Sequence, residues 1–258
     1  MNHQNPVLRI QRIDFMQENL IEIFSSIQGE GKYVGSRQIF VRFEGCNLDC
    51  KYCDTENKPG SHAVCQVETQ AGSRQFRKLA NPLSVDEVAA SINKMLAEIP
   101  HQAVSFTGGE PLLHADFILE LTSKIKTKIF LETNGTLYKA LAKLLPVTDI
   151  ISMDIKLPSI LTKPVWEAHE KFIELAKTKD LYIKVVVANE TPMNEFYQAV
   201  DLVSKIAPAA LFIIQPVTPF GGCQAASPEK ILACQNYALK KLQDVRVIPQ
   251  THKMINQL

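Results

Sequence analysis

The sequence has no dominant charge, no long apolar run and no targeting segment. Its 28 lysines and arginines against 27 aspartates and glutamates leave a net charge of +1, so it lacks the basic field that holds a nucleic-acid backbone without sequence preference. No stretch approaches the roughly 18 apolar residues of a membrane-spanning helix. Residues 1–20 alternate polar or charged residues with single apolar ones and lack the continuous apolar core of a signal peptide. We therefore expect a cytoplasmic protein with no nucleic-acid partner and no membrane partner.

Cysteine is scarce as well, with 6 residues in a chain of 258. That number is too low for a scaffold held by disulfides, and a reducing compartment would keep the side chains as thiols. Three of them, Cys46, Cys50 and Cys53, fall within one stretch of eight residues, whereas the other three are scattered. Clustered thiols in a cytosolic protein indicate metal ligands.

From residue 100 onward the chain alternates apolar runs of strand length with longer segments of helical period. Its composition, 46% hydrophobic and 21% charged, is that of a soluble globular protein. The predicted strands are 103–106, 128–132, 150–155, 182–188, 211–215 and 245–248. The predicted helices are 84–99, 115–125, 137–145, 164–178, 194–206 and 228–242, with Ser84 and Ser227 as N-caps. A strand and a helix recur about every 30 residues, which is typical of repeated βαβ units and a parallel sheet.

The segments on either side of the cysteine triplet differ from this pattern. Two strand-like runs, 21–28 and 38–45, precede the triplet, and we interpret residues 1–37 as an N-terminal strand extension. Segment 56–82 is polar, contains glycine and proline, and has little periodicity, so we interpret it as an inserted loop. No repeat or linker divides the chain, and residues 1–258 are predicted to form one α/β domain. Either a barrel, open or closed, or a doubly wound sheet fits these elements.

The cysteine triplet Cys46-x-x-x-Cys50-x-x-Cys53 follows an apolar strand, so its thiols can surround one inorganic centre. A structural zinc site usually has four ligands, whereas three ligands leave one position open for chemistry. On a four-iron cluster, three cysteines leave one iron free to bind a substrate or cofactor. Two other interpretations stay open at this point. The thiols are small buried side chains, or a zinc site closes with Cys65 or His62 as its fourth ligand.

The triplet, with Tyr52 just before its third cysteine, resembles the signature of the radical S-adenosylmethionine (SAM) enzymes. In that superfamily the three cysteines bind a 4Fe-4S cluster whose fourth iron chelates SAM. The sequence Thr107-Gly108-Gly109-Glu110-Pro111, at the end of a predicted strand, is similar to the Gly-Gly-Glu segment that receives the methionyl ammonium of SAM. Glycine suits this position because a residue without Cβ lets the backbone approach a ligand closely.

Longer matches narrow the resemblance to the 7-carboxy-7-deazaguanine synthases. They comprise Gln28-Gly29-Glu30-Gly31, Phe40-Val41-Arg42, Asp54-Thr55, Glu132-Thr133-Asn134-Gly135, Asp154-Ile155-Lys156, Gln215-Pro216 and Gln250-Thr251-His252-Lys253. The resemblance implies a partial, open TIM-like barrel of about six core parallel strands, with SAM and substrate at the carboxyl ends of the strands. It also implies a carbon–nitrogen lyase that uses SAM and Mg2+ to convert 6-carboxy-5,6,7,8-tetrahydropterin into 7-carboxy-7-deazaguanine. Ammonia is released, and the product leads to queuosine and other 7-deazapurines.

The resemblance further implies roles for individual residues. The 4Fe-4S cluster would be held by Cys46, Cys50 and Cys53, and Thr55 would supply a Mg2+ ligand. The implied SAM-binding positions are Tyr52, Cys53, Asp54, Gly109, Glu110, Asp154, Ile155 and Lys156. The implied pterin-binding positions are Ile27, Gln28, Gly29, Arg42, Thr107, Gln215 and His252. A guanidinium suits the carboxylate of the substrate, and a hydroxyl suits Mg2+, which favours oxygen ligands and keeps several waters.

No catalytic nucleophile from the protein is implied, because the cofactor carries the chemistry. In such enzymes one electron enters the cluster, SAM is cleaved to methionine and a 5′-deoxyadenosyl radical, and the radical removes a hydrogen atom from C6 of the pterin. The protein positions these parts and excludes water. The resemblance also implies an electron donor such as flavodoxin or ferredoxin, and a homodimer.

Two other functions compete with this interpretation. A glycyl-radical activating enzyme shares the cysteine triplet, but it acts on a protein and has no use for the segment 28–31. A zinc-stabilised binding module, with Cys65 completing the ligand set, has no use for the glycines and glutamate at 108–110. Cleavage of SAM without pterin turnover would favour the first function, and a single colourless metal ion would favour the second.

Overall fold

The computed structural model describes residues 16–51, 53, 60–220 and 222–257. Its strands are β1 (Gln17–Glu18), β2 (Leu20–Ile27), β3 (Arg37–Phe43), β4 (Val64–Glu68), β5 (Phe76–Ala80), β6 (Leu83–Ser84), β7 (Ala103–Gly108), β8 (Ile129–Thr133), β9 (Ile150–Asp154), β10 (Asp180–Val187), β11 (Leu211–Pro216) and β12 (Val245–Val247). Every predicted strand is present, with ends that differ from the prediction by one or two residues. The runs of Val, Ile and Phe are recognisable because parallel strands are buried on both faces.

Ten of these strands form one continuous sheet, in the order β12-β11-β10-β9-β8-β7-β3-β2-β4-β5. All neighbours from β12 to β3 run parallel, which gives seven parallel strands where about six were predicted. Strand β2 runs antiparallel to β3 and continues the sheet beyond the parallel strands. Within the part of the chain that is described, β12 and β5 are edges that do not pair with each other. The fold is therefore an open α/β barrel, as the resemblance implied.

Helices cover the outside of the sheet. They are α1 (Val85–Glu98), α2 (Ala115–Thr122), α3 (Tyr138–Leu144), α4 (Trp166–Ala176), α5 (Met193–Ile206), α6 (Pro228–Leu239) and α7 (Thr251–Met254). A helix lies in every connection between successive parallel strands, as predicted. The predicted cap of α1 is confirmed, since Ser84 and Glu87 exchange side-chain and backbone hydrogen bonds in a capping box. None of the described helices is both long enough and apolar enough to cross a lipid bilayer.

The segment predicted as an inserted loop, 56–82, contains an antiparallel pair of strands, β4 and β5, called here the edge hairpin. Its first residues, 56–59, lie outside the described part. Strand β4 adds in parallel to β2, so the edge hairpin extends the main sheet. Cys65 and Val67 of β4 are buried, while Gln66 between them is half-buried. This alternation covers only a few residues in a polar context, which is why the sequence predicted a loop.

The interior of the barrel is filled toward the amino-terminal ends of the strands. Phe130 and Tyr182 point inward and pack with Tyr33 from the turn that follows β2. Gly31 of that turn has φ +70°, and a Cβ on it would lie 2.3 Å from the Tyr182 ring, so the close packing requires glycine. The turn 28–36 thus fills the lower interior. Open space inside the barrel lies at the carboxyl ends of the strands.

Candidate functional site

Two adjoining cavities lie at the carboxyl ends of the parallel strands. The cysteine cavity, of about 200 Å³, is lined by Cys46, Cys50 and Cys53 and by the ends of β7 to β11. The Arg42 cavity, of about 400 Å³, is lined by Arg42 and by residues of β2 and of the segment after β12. The residues that line both cavities are Glu30, Thr107, Glu132 and Gln250. The two cavities therefore have a wall in common.

The cysteine loop after β3 presents its three sulfurs at different depths. Cys46 and Cys50 are partly buried, and Cys53 is exposed. The backbone turns back at the third cysteine, where the Cys53 N–H donates to the Cys50 carbonyl at 3.0 Å. The Lys51 ammonium donates to the Ser159 carbonyl at 2.9 Å, which ties the loop to the segment after β9. Burial raises the pKa of Cys50 to about 11, so a metal centre that takes this sulfur as thiolate releases a proton.

The geometry of the thiols suits a cluster better than a single ion. Among the described residues, no three His, Cys, Asp or Glu side chains converge closely enough to hold one metal ion. The three cysteines instead line one cavity, and the ligands of a four-iron cluster bind different irons, so they stand farther apart than ligands of one ion. Neither candidate for a fourth zinc ligand lines the cysteine cavity. Cys65 is fully buried in β4, and His62 Nδ1 lies 2.9 Å from Glu44 Oε1.

The two glycines after β7 form the floor of the cysteine cavity. Gly108 has φ +124°, and a Cβ on it would lie 2.2 Å from the Phe43 carbonyl oxygen, so another residue does not fit without moving the backbone. The Gly109 N–H donates to the same carbonyl at 3.1 Å. Both glycines line the cysteine cavity. The structure thus places Gly109, an expected SAM-binding position, beside the cysteines.

Glu110 points away from that cavity. Its carboxylate accepts hydrogen bonds from the Leu112 N–H at 3.1 Å, the Thr133 hydroxyl at 2.8 Å and the Asn134 N–H at 2.8 Å. The side chain is fully buried, and this burial raises its pKa to about 7, although the hydrogen bonds oppose the shift. Glu110 therefore braces the loop after β8 and does not line either cavity. The implied contact of Glu110 with the methionyl ammonium stays a prediction.

The expected SAM-binding stretch at the end of β9 divides between cavity and core. Asp154 and Lys156 line the cysteine cavity, and their charged groups are 3.1 Å apart. The Ile155 side chain between them is 1% exposed and belongs to the core. Its N–H donates to the Lys184 carbonyl at 2.9 Å, so Ile155 holds β9 against β10 and only its neighbours face the cavity.

Arg42 lies on β3, just ahead of the cysteine loop, and faces the second cavity. Its Nε–H donates to Glu22 Oε1 at 2.7 Å, and its guanidinium carbon lies 5.9 Å from the centre of the Phe24 ring. These contacts fix the plane of the guanidinium while using one of its five N–H donors. The arrangement suits recognition of a carboxylate.

Gln28 and Thr107 are brought together by Glu132 at the common wall. The Gln28 amide donates to Glu132 Oε1 at 2.8 Å, and the Thr107 hydroxyl donates to Glu132 Oε2 at 2.7 Å. The Gln28 Oε1 accepts from the Glu30 N–H at 3.0 Å. The cavity wall therefore presents amide, hydroxyl and carboxylate groups, a mixed donor and acceptor surface suited to a heterocycle edge.

The segment after β12 closes the Arg42 cavity. The Thr251 N–H donates to the Gly29 carbonyl at 2.8 Å, and His252 lies so close that a Cβ on Gly29 would be 2.2 Å from its Nδ1. Ile27, Gly29 and His252 line this cavity together. Glycine at position 29 is therefore what admits His252 to the site.

Gln215 lies in a different place from the one expected. It lines the cysteine cavity and not the Arg42 cavity, because β11 is separated from β3 by four strands of the sheet. Its side chain is 4% exposed. Its Oε1 has no hydrogen-bond partner among the described residues, so this buried acceptor is directed into a cavity that a ligand with N–H or O–H groups would suit.

The structure brings Lys184, Gln250 and Glu132 into the site, and the sequence patterns had predicted no individual role for them. Lys184 of β10 bonds to Glu30 at 2.5 Å, and the Gln250 amide donates to the other oxygen of Glu30 at 2.7 Å. Glu132 belongs to the motif Glu132-Thr133-Asn134-Gly135, which the resemblance linked to no specific ligand. A lone lysine inside an apolar strand was the available signal, since a buried cation requires a partner.

Three expected positions, Tyr52, Asp54 and Thr55, lie outside the described residues. The implied SAM and Mg2+ contacts of these residues stay predictions.

Comparisons with known proteins agree on one family. Residues 40–202 match the model described as Radical SAM superfamily. A protein named 7-carboxy-7-deazaguanine synthase from Geobacter sulfurreducens is 41% identical over 93% of this chain and 97% of its own. Proteins of the same name from Methanocaldococcus jannaschii and Archaeoglobus fulgidus are 38% and 37% identical, over 92% and 93% of this chain and 99% of their own.

Among solved structures, the fold is similar to the crystal structure of QueE from Escherichia coli. The TM-score is 0.62 at 19% identity, over 92% of this chain and 95% of that chain. A radical SAM methyltransferase from Sphaerobacter thermophilus is similar with a TM-score of 0.54 at 12% identity, over 89% of this chain and 77% of that chain. These likenesses concern the fold alone.

Proposed function

Because this chain belongs to the 7-carboxy-7-deazaguanine synthases of the radical SAM superfamily, we propose that its two cavities divide the reaction between them. The cysteine cavity holds a 4Fe-4S cluster with SAM, and the Arg42 cavity holds 6-carboxy-5,6,7,8-tetrahydropterin. The superfamily acts with a 4Fe-4S cluster and SAM, and the family makes 7-carboxy-7-deazaguanine, a precursor of queuosine. The assignment of each cavity is supported by its side chains.

The observation that carries the proposal is the common wall. Glu30, Thr107, Glu132 and Gln250 line both cavities, so a ligand in one cavity lies beside a ligand in the other. Radical transfer between two bound molecules requires this proximity, since it replaces a bimolecular encounter by a fixed approach.

The cysteine cavity fits the cluster and SAM by its donor set. Cys46, Cys50 and Cys53 would each hold one iron and leave a fourth iron for SAM. The buried Oε1 of Gln215 accepts a hydrogen bond from an amino or hydroxyl group of SAM, and the Asp154–Lys156 pair offers both signs of charge to it. Bound there, the cluster and SAM supply the radical that removes a hydrogen atom from the substrate. The residues of the chain hold the ligand and exclude water.

The Arg42 cavity fits the pterin by charge and by hydrogen bonding. The guanidinium of Arg42 receives the 6-carboxylate, and the pair of Gln28 and Glu132 faces the amide and amino edge of the pterin. His252 covers the bound ring from the segment after β12. No side chain acts as a nucleophile, and the role of these residues is to orient C6 of the pterin toward the cysteine cavity.

Mg2+, the reductant and the assembly belong to the proposal as well. Thr55 would supply an oxygen ligand to Mg2+, an ion that favours oxygen ligands and keeps several waters, and ammonia would be the second product. An electron donor such as flavodoxin or ferredoxin would approach on the side of Cys53, the exposed cysteine of the three. The enzyme works as a homodimer in the reducing cytoplasm, where the thiols stay available.

Anaerobic reconstitution with iron and sulfide, followed by SAM, reductant, Mg2+ and the pterin, tests the proposal. Mass spectrometry should detect 7-carboxy-7-deazaguanine from the unmodified enzyme. Cys50→Ala should abolish product and lower the iron content, whereas Cys223→Ala, outside both cavities, should retain both.

Two outcomes would contradict the proposal. A brown protein that cleaves SAM and leaves the pterin unchanged would be consistent with a radical SAM enzyme but would exclude the pterin as its substrate. A colourless protein with one zinc ion would exclude the cluster and the radical reaction together.

A further inference from the structure

Lys184 is a buried cation at the centre of the site. It lies in the middle of β10, and its side chain is 4% exposed. Its ammonium nitrogen is 2.5 Å from Glu30 Oε2 and 3.6 Å from Asp154 Oδ1. A charge removed from water is costly unless it is paired, so the position of this lysine is set by the two carboxylates.

The two carboxylates differ in the cavities that they line. Glu30 lines both the cysteine cavity and the Arg42 cavity, whereas Asp154 lines the cysteine cavity alone. Although burial lowers the pKa of Lys184, the charges of Asp154, Glu30 and Glu132 raise it well above its ordinary value. Lys184 is therefore a permanent cation between a carboxylate of the common wall, Glu30, and a carboxylate of the cysteine cavity alone, Asp154.

The contacts continue on both sides of this trio. The amide of Gln250, from the segment that closes the Arg42 cavity, donates to Glu30 at 2.7 Å. On the other side, Lys156 lies 3.1 Å from Asp154. An unbroken chain of charged and polar groups thus runs from the cover of the pterin cavity to the wall of the SAM cavity.

We infer that Lys184 is a positioning residue that couples the two cavities, so that SAM and the pterin each bind more tightly when the other is present. The inference rests on the proposed function. A ligand in the Arg42 cavity meets Glu30, and a ligand in the cysteine cavity meets Glu30 and Asp154. Each ligand therefore changes the charges around Lys184 that the other ligand meets.

A purely structural role makes a different prediction, and a second ion pair provides the comparison. Lys32 lies 2.6 Å from Asp180, so this pair also joins the turn 28–36 to β10. Asp180 is at the opposite end of β10 from the cavities, and neither residue lines the cysteine cavity or the Arg42 cavity. If Lys184 only anchors the turn, Lys184→Met should lower Tm and leave the effect of one ligand on the binding of the other unchanged, and Lys32→Met should do the same to a smaller degree, because its ion pair is more exposed.

The test uses the reconstituted full-length enzyme without reductant, so that no turnover occurs. The Kd of SAM is measured by anaerobic calorimetry with and without saturating 6-carboxy-5,6,7,8-tetrahydropterin and Mg2+, and the ratio of the two values is the coupling factor. Iron content and Tm are recorded for each variant. In the unmodified enzyme we expect a factor of about 5 to 150.

Lys184→Met should raise the Kd of each ligand about tenfold when the other ligand is present, and so bring the coupling factor close to 1. The iron content should stay normal. Lys184→Arg, which keeps the charge, should recover part of the factor, and Lys32→Met should keep all of it. A coupling factor of 1 in the unmodified enzyme overturns the inference without any variant. An unchanged factor in Lys184→Met, or an equal loss in Lys32→Met, also overturns it.

The role of Lys184 and the proposed function give different results in this test. Product formation with a coupling factor of 1 leaves the proposed function intact and removes only the role of Lys184. Absence of pterin binding in the unmodified enzyme removes the proposed function itself.

Discussion

Arg74 at the tip of the edge hairpin donates a hydrogen bond to the backbone carbonyl of Asn256, at 2.7 Å. The two residues are also the non-glycine residues with positive φ in the described part of the chain, at 57° and 51°. Such backbone is strained for residues with a Cβ. The hairpin therefore holds the end of the segment that carries His252 over the Arg42 cavity.

Removal of this contact should weaken substrate binding without disturbing the cluster. Arg74→Ala loses one hydrogen bond, and the KM for the pterin should rise about 3- to 10-fold. The Kd of SAM measured without pterin should not change. Steady-state kinetics and calorimetry check both values. Arg77→Ala, on the exposed side of the same hairpin, is the matched control, and an equal effect there would contradict the role of the tip.

Arg42 should account for recognition of the substrate carboxylate. Arg42→Gln removes a charge-assisted contact, so the KM for the pterin should rise about 10- to 100-fold. Glu22→Gln only loosens the orientation of the guanidinium, because Glu22 holds its Nε–H, and should raise KM less. Measurement of KM for both variants tests this order, and an Arg42→Gln enzyme with normal KM would exclude Arg42 from the binding site.

The glycine at the end of β7 is required by a backbone contact. Gly108→Ala places a Cβ 2.2 Å from the Phe43 carbonyl oxygen at φ +124°, and should lower the free energy of unfolding by more than about 3 kcal/mol. Gly222 also has a positive φ, +86°, but no atom of the described residues lies within 4 Å of an added Cβ, so Gly222→Ala should lower the free energy of unfolding by about 1 kcal/mol. Denaturant unfolding of both variants separates the clash from the backbone strain. Equal losses of unfolding free energy in the two variants would show that the backbone around Phe43 moves and relieves the clash.

Glu110 should make stability depend on pH near neutrality. Burial raises its pKa to about 7 from 4.5, so the folded protein keeps a proton that the unfolded chain releases. Stability should therefore fall as pH rises from about 4.5 to 7, by about 3 kcal/mol for this group. Glu110→Gln should remove that slope from Tm measured against pH. Glu120→Gln, on the exposed face of α2, should retain it, and a slope that persists in Glu110→Gln would assign it to another group.

The sequence was most informative where one physical rule acted alone. The parallel strands are confirmed because burial on both faces demands unbroken apolar runs. The predicted N-cap of α1 is confirmed because Ser84 and Glu87, three positions apart, satisfy each other's hydrogen-bonding groups locally. The edge hairpin was missed because its alternation is short and its stability comes from pairing with β2, which no local pattern records.

In the site as well, local sequence patterns did not record which way a side chain points or which distant residue it contacts. The three-residue motif that begins with the last residue of β9 suggested three SAM-binding positions, but the Ile155 side chain lies in the core and only its two neighbours line the cavity. Glu110 was expected to face SAM, yet Thr133 and Asn134 hold its carboxylate. Lys184 was missed because its partner Glu30 lies 154 residues earlier, and a charge alone does not name its partner.

The hydrogen bond between Gly29 and Thr251 joins residues 222 positions apart, and it bears on the order in which the protein is made. Translation delivers the cysteine loop by residue 53, early in synthesis. The cover of the Arg42 cavity arrives only with residues 250–252, after every strand of the sheet. A nascent chain, or one cut before residue 250, thus has the three thiols of the cysteine loop and lacks the residues that close the Arg42 cavity. Enclosure of that cavity comes after the last strand in the order of synthesis.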